Sequence, residues 1–196
     1  MRAWYNPYDF PITQVLERNF AQIQHEALLT YAMGLYTEHV QSAKSPVASI
    51  MKLAGEWKQF SITVADKVNP IAEKYAPFTT QLLSTSAEVT GCAHGLTYFS
   101  WIPAGAVVLP HVAVDMVRIR SQLCLVKPDV RPEDEVFIRV GGEKRGWELG
   151  KVMTFNDLVM HDVLNRSRHS RLVLLYDQIK PDWAVKADEA AASAAT

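Results

Sequence analysis

Two histidines, His111 and His161, and two arginines, Arg120 and Arg171, carry most of the capacity for chemistry of this 196-residue chain. His111 ends the run AVVLPH, where a strand gives way to a loop, and His161 sits in the short apolar run MTFNDLVMHDV. Imidazole nitrogen suits ferrous iron, and two histidines on neighbouring strands can converge on one ion. The usual non-haem iron site adds a carboxylate two residues after the first histidine, and that position is Ala113, so the triad is incomplete. With 6 histidines in the chain, a pair this far apart does not by itself establish a metal site. His25 and His39 fall in a helical region and His94 and His169 beside turns, where solvated or structurally satisfied rings are expected.

Arg171 opens the apolar strand LVLLYD. A charge at the head of a buried strand needs a partner, because an unpaired buried ion is very unfavourable. The planar guanidinium fork matches a carboxylate with two parallel hydrogen bonds. Arg118 and Arg120 alternate with Val117, Ile119, Leu123 and Leu125, which puts both arginines on one face of a strand. That face either lines a ligand site or lies in water. Asp115 has the wrong spacing for a triad, Asp162 points away from His161 if the stretch is extended, and Asp157 reads as a turn residue. Glu143, Lys144 and Arg145 read as a charged loop tip, at most a substrate rim.

These residues need a rigid frame, and the chain is long enough for a substantial core. It has 48% hydrophobic and 21% charged residues and a formal charge of −1. With no basic run, nucleic acid is not an expected partner. Cys92 and Cys124 lie in apolar stretches and read as buried free thiols rather than a disulfide framework. The start lacks the pattern of a signal peptide, and no stretch approaches the roughly 20 apolar residues of a bilayer span. A cytoplasmic location is the expectation.

Residues 1–10 read as an extended aromatic lead-in. Pro11, with Asp9 upstream as a candidate cap, opens a helix that the spacing of Val15, Leu16, Phe20, Ile23, Ala27 and Leu28 carries to about residue 33, where Gly34 stops it. Residues 41–55 read as a loop, GEWKQFSITV as a strand, and VNPIAEKYAPFTTQLLSTSAEV as two helices broken at Pro77. After residue 95 short β-rich runs follow one another: LTYFSWI, AVVLPHV, MVRIRSQLCLV, EVFIRVG, GKVMTF, MHDVLN and RLVLLYD. PAG, PDVRPED and GGEKRG supply turns. The expected architecture is mainly β with N-terminal helices (α+β), a jelly roll. It is one domain over 1–184, with a mostly helical part over 1–94, a jelly-roll core over 95–184 and a disordered tail over 185–196.

TYFSWIPAGAVVLPH, the RIR strand, VGGEKRGWELGKVMTFND and MHDV…SRLVLLYD, with the earlier EWKQFSI, VTGCAHG and YDFPITQVLERNFAQIQHE, together resemble the aspartyl/asparaginyl β-hydroxylase family of iron- and 2-oxoglutarate-dependent dioxygenases. The resemblance covers most of the chain. It implies a double-stranded β-helix fold, Fe(II) as cofactor and 2-oxoglutarate as cosubstrate. Several members bind iron through two histidines with no protein carboxylate, so His-Val-Ala becomes a family trait. His111 and His161 carry over as ligands, Arg171 and Ser100 as the pair on the distal carboxylate of 2-oxoglutarate, and Arg120 as a contact near its other end. Gln122 stands where the family often has a histidine two residues after that arginine; it donates a hydrogen bond without titrating, so the hold on the metal-proximal carboxylate is expected to differ. Trp57 falls at a family position near the active-site wall.

The function so implied is hydroxylation, with O2, of an unactivated C–H bond in an amino acid, a short peptide or a similar small substrate. Two alternatives share the sequence features. A halogenase would place chloride at the vacant carboxylate position, and a non-catalytic jelly-roll module would only bind a small acid. Neither substrate identity nor oligomeric state is legible in the sequence.

Overall fold

The computed structural model describes residues 1–38, 57–64, 67–92, 95–113, 118–131 and 134–186. The expected loop over 41–55, His39, His94, Asp115 and the tail beyond residue 186 lie outside them. After a short strand and a 3-10 turn, helices follow as the spacing predicts. Pro11–Arg18 forms α1 with Pro11 in its first turn, and Phe20–Ala32 forms α2. One continuous helix was the expectation, and the break falls at Asn19. Its side-chain amide donates to the Val15 carbonyl at 2.8 Å, competing with the helical ladder at that point. Asp9 does not cap α1; it belongs to a 3-10 turn over Pro7–Asp9 that Asn6 caps, and Phe10 occupies the α1 cap position without a side-chain bond. Gly34 ends the helical region at φ +72°, a conformation open to glycine.

The break expected at Pro77 separates α3 (Pro70–Tyr75) from α4 (Pro77–Ser84), and Ala87–Thr90 makes a short α5. The strands are β1 (Trp4–Tyr5), β2 (Thr37–Glu38), β3 (Lys58–Val64), β4 (Lys67–Val68), β5 (Leu96–Ile102), β6 (Val107–His111), β7 (Arg118–Val126), β8 (Val136–Val140), β9 (Glu143–Arg145), β10 (Val152–Phe155), β11 (His161–Asn165) and β12 (Arg171–Ile179). Glu143–Arg145, read as a loop tip, is a strand paired with β8. A helical turn over 182–186 runs past the expected start of the tail, and Ala184 is fully buried.

One sheet orders its strands β1-β10-β7-β12-β5-β3-β2, with β4 beside β3, and the other runs β6-β11-β8-β9. The pairings are antiparallel throughout. Period-two alternation splits the large sheet into two faces. Phe60, Phe99, Ile119, Leu123, Leu172 and Leu174 pack with Leu16, Ile23, Ala27 and Leu83 of the helices. The opposite face turns Tyr98, Ile102, Cys124, Val173 and Leu175 toward Val108, Ile138, Val140 and Val163 of the small sheet. The same alternation puts Ser100 of β5, Arg120 and Gln122 of β7, and Arg171 of β12 inside the jelly roll.

Candidate active site

His111 and His161 are cross-strand partners on β6 and β11. Their ring centroids lie 4.1 Å apart, with the planes inclined at 52°. Nδ1 of His111 is 2.8 Å from the Leu109 carbonyl, and Nδ1 of His161 is 2.9 Å from the Val159 carbonyl. A carbonyl only accepts, so each Nδ1 carries the proton and each Nε2 keeps a free lone pair, the tautomer a metal-binding imidazole needs. Burial, with lesser repulsion from Arg120, lowers the His111 pKa. Burial and the neighbouring His111 ring push His161 down to about 3. Both rings are therefore neutral at physiological pH. Among the described residues no third His, Cys, Asp or Glu joins them.

A cavity beside the pair, with about 350 Å³ of empty space counted out to its mouth, is lined by His111, His161, Trp57, Ser100, Arg120, Gln122 and Arg171 together with apolar residues such as Ile102, Val108 and Phe155. Arg171 is 1% exposed and forms no salt bridge among the described residues. Nη1 donates to the Gln122 amide oxygen and Nη2 to Ser100 Oγ, both at 3.3 Å, the guanidinium lies 4.6 Å from the centre of the Trp147 ring, and Nε has no partner among the described residues. Burial pulls its pKa down to about 10. It remains a cation at neutral pH, held among the described residues against neutral groups alone.

Arg120 is differently placed. Its Nε and Nη2 donate to the two oxygens of Asp177 at 2.8 and 3.0 Å, and Nη2 lies 3.6 Å from Asp157. Arg118 reaches Asp177 at 3.3 Å and Asp157 at 3.5 Å, so the two arginines do share a face, against a buried pair of aspartates. Burial raises the Asp157 pKa, and Arg120 opposes the rise. Arg120 thus lines the cavity with its charge already compensated. Gln122, expected near the metal-proximal carboxylate, has its amide oxygen 3.3 Å from Nη1 of Arg171. Asp162 turns away from the cavity to Arg139, at 2.7 Å. Sequence reasoning missed Asp177 and Trp147, which no local signal marks.

The family model described as aspartyl/asparaginyl beta-hydroxylase matches residues 17–181. This chain belongs to that family. A curated relative, the aspartyl/asparaginyl beta-hydroxylase of Mus musculus, is 32% identical over 186 residues, covering 92% of this chain and 24% of the relative. The chain spans about a quarter of the length of that protein. Two solved structures share the fold. A Pseudomonas putida prolyl-4-hydroxylase has a TM-score of 0.53 at 17% identity, covering 92% of this chain and 91% of that one. A prolyl hydroxylase from Trichoplax adhaerens, in complex with a hypoxia inducible factor peptide fragment, has a TM-score of 0.52 at 12% identity, covering 83% and 78%. The mainly β, jelly-roll architecture expected from the strand pattern is the one these structures share. Among the described residues no helix is long and apolar enough to cross a membrane.

Proposed function

We propose that this chain is an Fe(II)- and 2-oxoglutarate-dependent dioxygenase that hydroxylates an unactivated C–H bond of an amino acid, a short peptide or a similar small substrate. One observation carries the proposal: two neutral imidazoles with free Nε2 lone pairs border the same cavity as a buried guanidinium that has no carboxylate partner among the described residues. The donor set fits the cofactor, since imidazole suits ferrous iron. The orphaned cation fits a dicarboxylate, which would bring the missing charge.

His111 and His161 would hold the metal, kept in register by the β6–β11 ladder and in tautomer by the Leu109 and Val159 carbonyls. Arg171, with Ser100 and Gln122, would clasp the distal carboxylate of 2-oxoglutarate. Arg120, although paired with Asp177, would still act as a minor influence against protonation of both histidines. Ile102, Val108 and Phe155 would exclude water around the cosubstrate's methylenes. Bound iron supplies dioxygen activation, coupled to oxidation of 2-oxoglutarate to succinate and carbon dioxide as C–H becomes C–OH.

Anaerobic addition of Fe(II) and 2-oxoglutarate should produce a weak visible charge-transfer band that His111→Ala abolishes. In air, a panel of amino acids and short peptides should include at least one that stimulates succinate release. No band, and no turnover of 2-oxoglutarate with any substrate, would remove the proposal. A chlorinated product in the presence of halide would move it to the halogenase alternative.

A further inference from the structure

Two tryptophans, Trp57 on the cavity wall and Trp147 behind it, act on the two hydrogen-bond partners of Arg171. Trp147, 4% exposed and outside the cavity lining, donates its indole N–H to the Gln122 amide oxygen at 2.9 Å. Trp57, on the cavity wall, donates its own to Ser100 Oγ at 2.9 Å. Neither an indole nor a guanidinium can accept a hydrogen bond. The amide atom of Gln122 that faces Trp147 and Arg171 must therefore be oxygen, and its NH2 is left for the cavity, with no partner among the described residues. Ser100 Oγ receives from Trp57 and from Arg171, which occupies both lone pairs and leaves only its O–H to give.

We propose that Trp147 is a positioning residue which, with Trp57, makes this end of the cavity donor-only, so that it selects a carboxylate and rejects a carboxamide in the same place. The inference rests on 2-oxoglutarate binding here with its distal carboxylate toward Arg171. A carboxylate accepts from all three groups at once. A carboxamide presents an N–H side that meets only donors, and a site with mismatched buried polar groups discriminates strongly. Without the indole N–H, Gln122 is held by one donor instead of two. A flip that offers oxygen to the ligand then leaves one donor facing a donor, at Arg171, instead of two, and so costs less.

The test compares the Kd of 2-oxoglutarate with that of its C5 carboxamide, on Fe(II)-loaded protein kept anaerobic so that nothing turns over. Wild type should favour the carboxylate at least tenfold. Trp147→Phe, which keeps an aromatic ring over Arg171 but removes the N–H, should narrow that ratio at least fivefold. In a Gln122→Met background the same change should leave the ratio unaltered. Looser packing alone would weaken both ligands alike and leave the ratio where it was. If Trp147→Phe does not fold, Gln122→Met alone should collapse the ratio, and an unchanged ratio there overturns the proposal. A wild type that binds neither ligand removes the underlying reading along with this one. A wild type with the full preference and a Trp147→Phe protein that retains it overturns the positioning role alone.

Discussion

Asp177 gathers several polar groups of the β5–β7–β12 region onto one carboxylate. It accepts two hydrogen bonds from Arg120 and one from the Leu96 backbone, and lies 3.3 Å from Arg118, with its own side chain fully buried. Removing one partner from a buried ion cluster is far more damaging than replacing the cluster whole, because the remaining charges lose their compensation. Asp177→Asn should lower stability by about 3–5 kcal/mol, read as the shift in urea midpoint at unchanged slope. A loss below about 1 kcal/mol, the range of exposed pairs, would mean that Asp157 alone compensates both arginines. This contact also marks what the sequence could not tell. The shared face of Arg118 and Arg120 follows from strand alternation, but their partner lies 57 positions beyond Arg120, on a strand that local patterning cannot bring near. The histidine pair was no more legible from spacing alone, because a cross-strand register decides which rings meet; the family resemblance singled it out.

At the scale of elements, the strand runs after residue 95 were readable because alternation and turn residues are local signals: β5 through β8, β10 and β11 lie within them, and β12 begins with its run and continues two residues beyond it. What was lost also has local causes. Asn19 breaks the first helix through a side-chain bond, while β9 is too short and polar to show alternation. The start of α4 has no side-chain cap of its own at Ala76, and Pro77 has no N–H to give. Glu26 of α2 supplies the cap from 52 positions away: its carboxylate accepts from the Phe78 backbone at 2.9 Å, and from the Thr79 backbone and hydroxyl at 2.8 and 2.6 Å. Negative charge at a helix N-terminus is favourable, and charge-assisted bonds are stronger than neutral ones. Glu26→Gln turns an N–H side toward donors and should cost about 1–3 kcal/mol. Amide exchange should speed up in α4 before it does in β7 and β12. Uniform acceleration would show that Glu26 stabilises the whole fold rather than the α2–α4 contact.

Across the whole molecule, the site sets how stability responds to pH and to ligand. An unfolded imidazole takes up its proton near pH 6.5, whereas folded His161 resists until about 3. The neutral ring's contribution to the metal-free protein is thus complete above about pH 6.5 and is lost progressively as pH falls toward 3. Asp157, whose folded pKa is raised, works in the opposite sense. The informative quantity is therefore the difference between wild type and His161→Gln, whose stability should fall less steeply between pH 7 and 5. Equal slopes would mean that His161 titrates normally in the fold. As a buried cation without a carboxylate among the described residues, Arg171 weighs against folding, and replacing such a charge by an apolar side chain is often neutral or stabilising. Metal-free Arg171→Met should consequently melt no lower than wild type, although Arg171 is the largest side chain among the fully buried ones. Ligand should reverse the order. With Fe(II) present, anaerobic 2-oxoglutarate at about a hundred times its Kd adds about 2.7 kcal/mol, or roughly 5–11 °C for a chain of this size. Arg171→Met should keep only the shift due to metal. A variant that melts far below wild type without ligand, yet still responds to 2-oxoglutarate, would make Arg171 a structural cation and send the search for the carboxylate anchor elsewhere in the cavity.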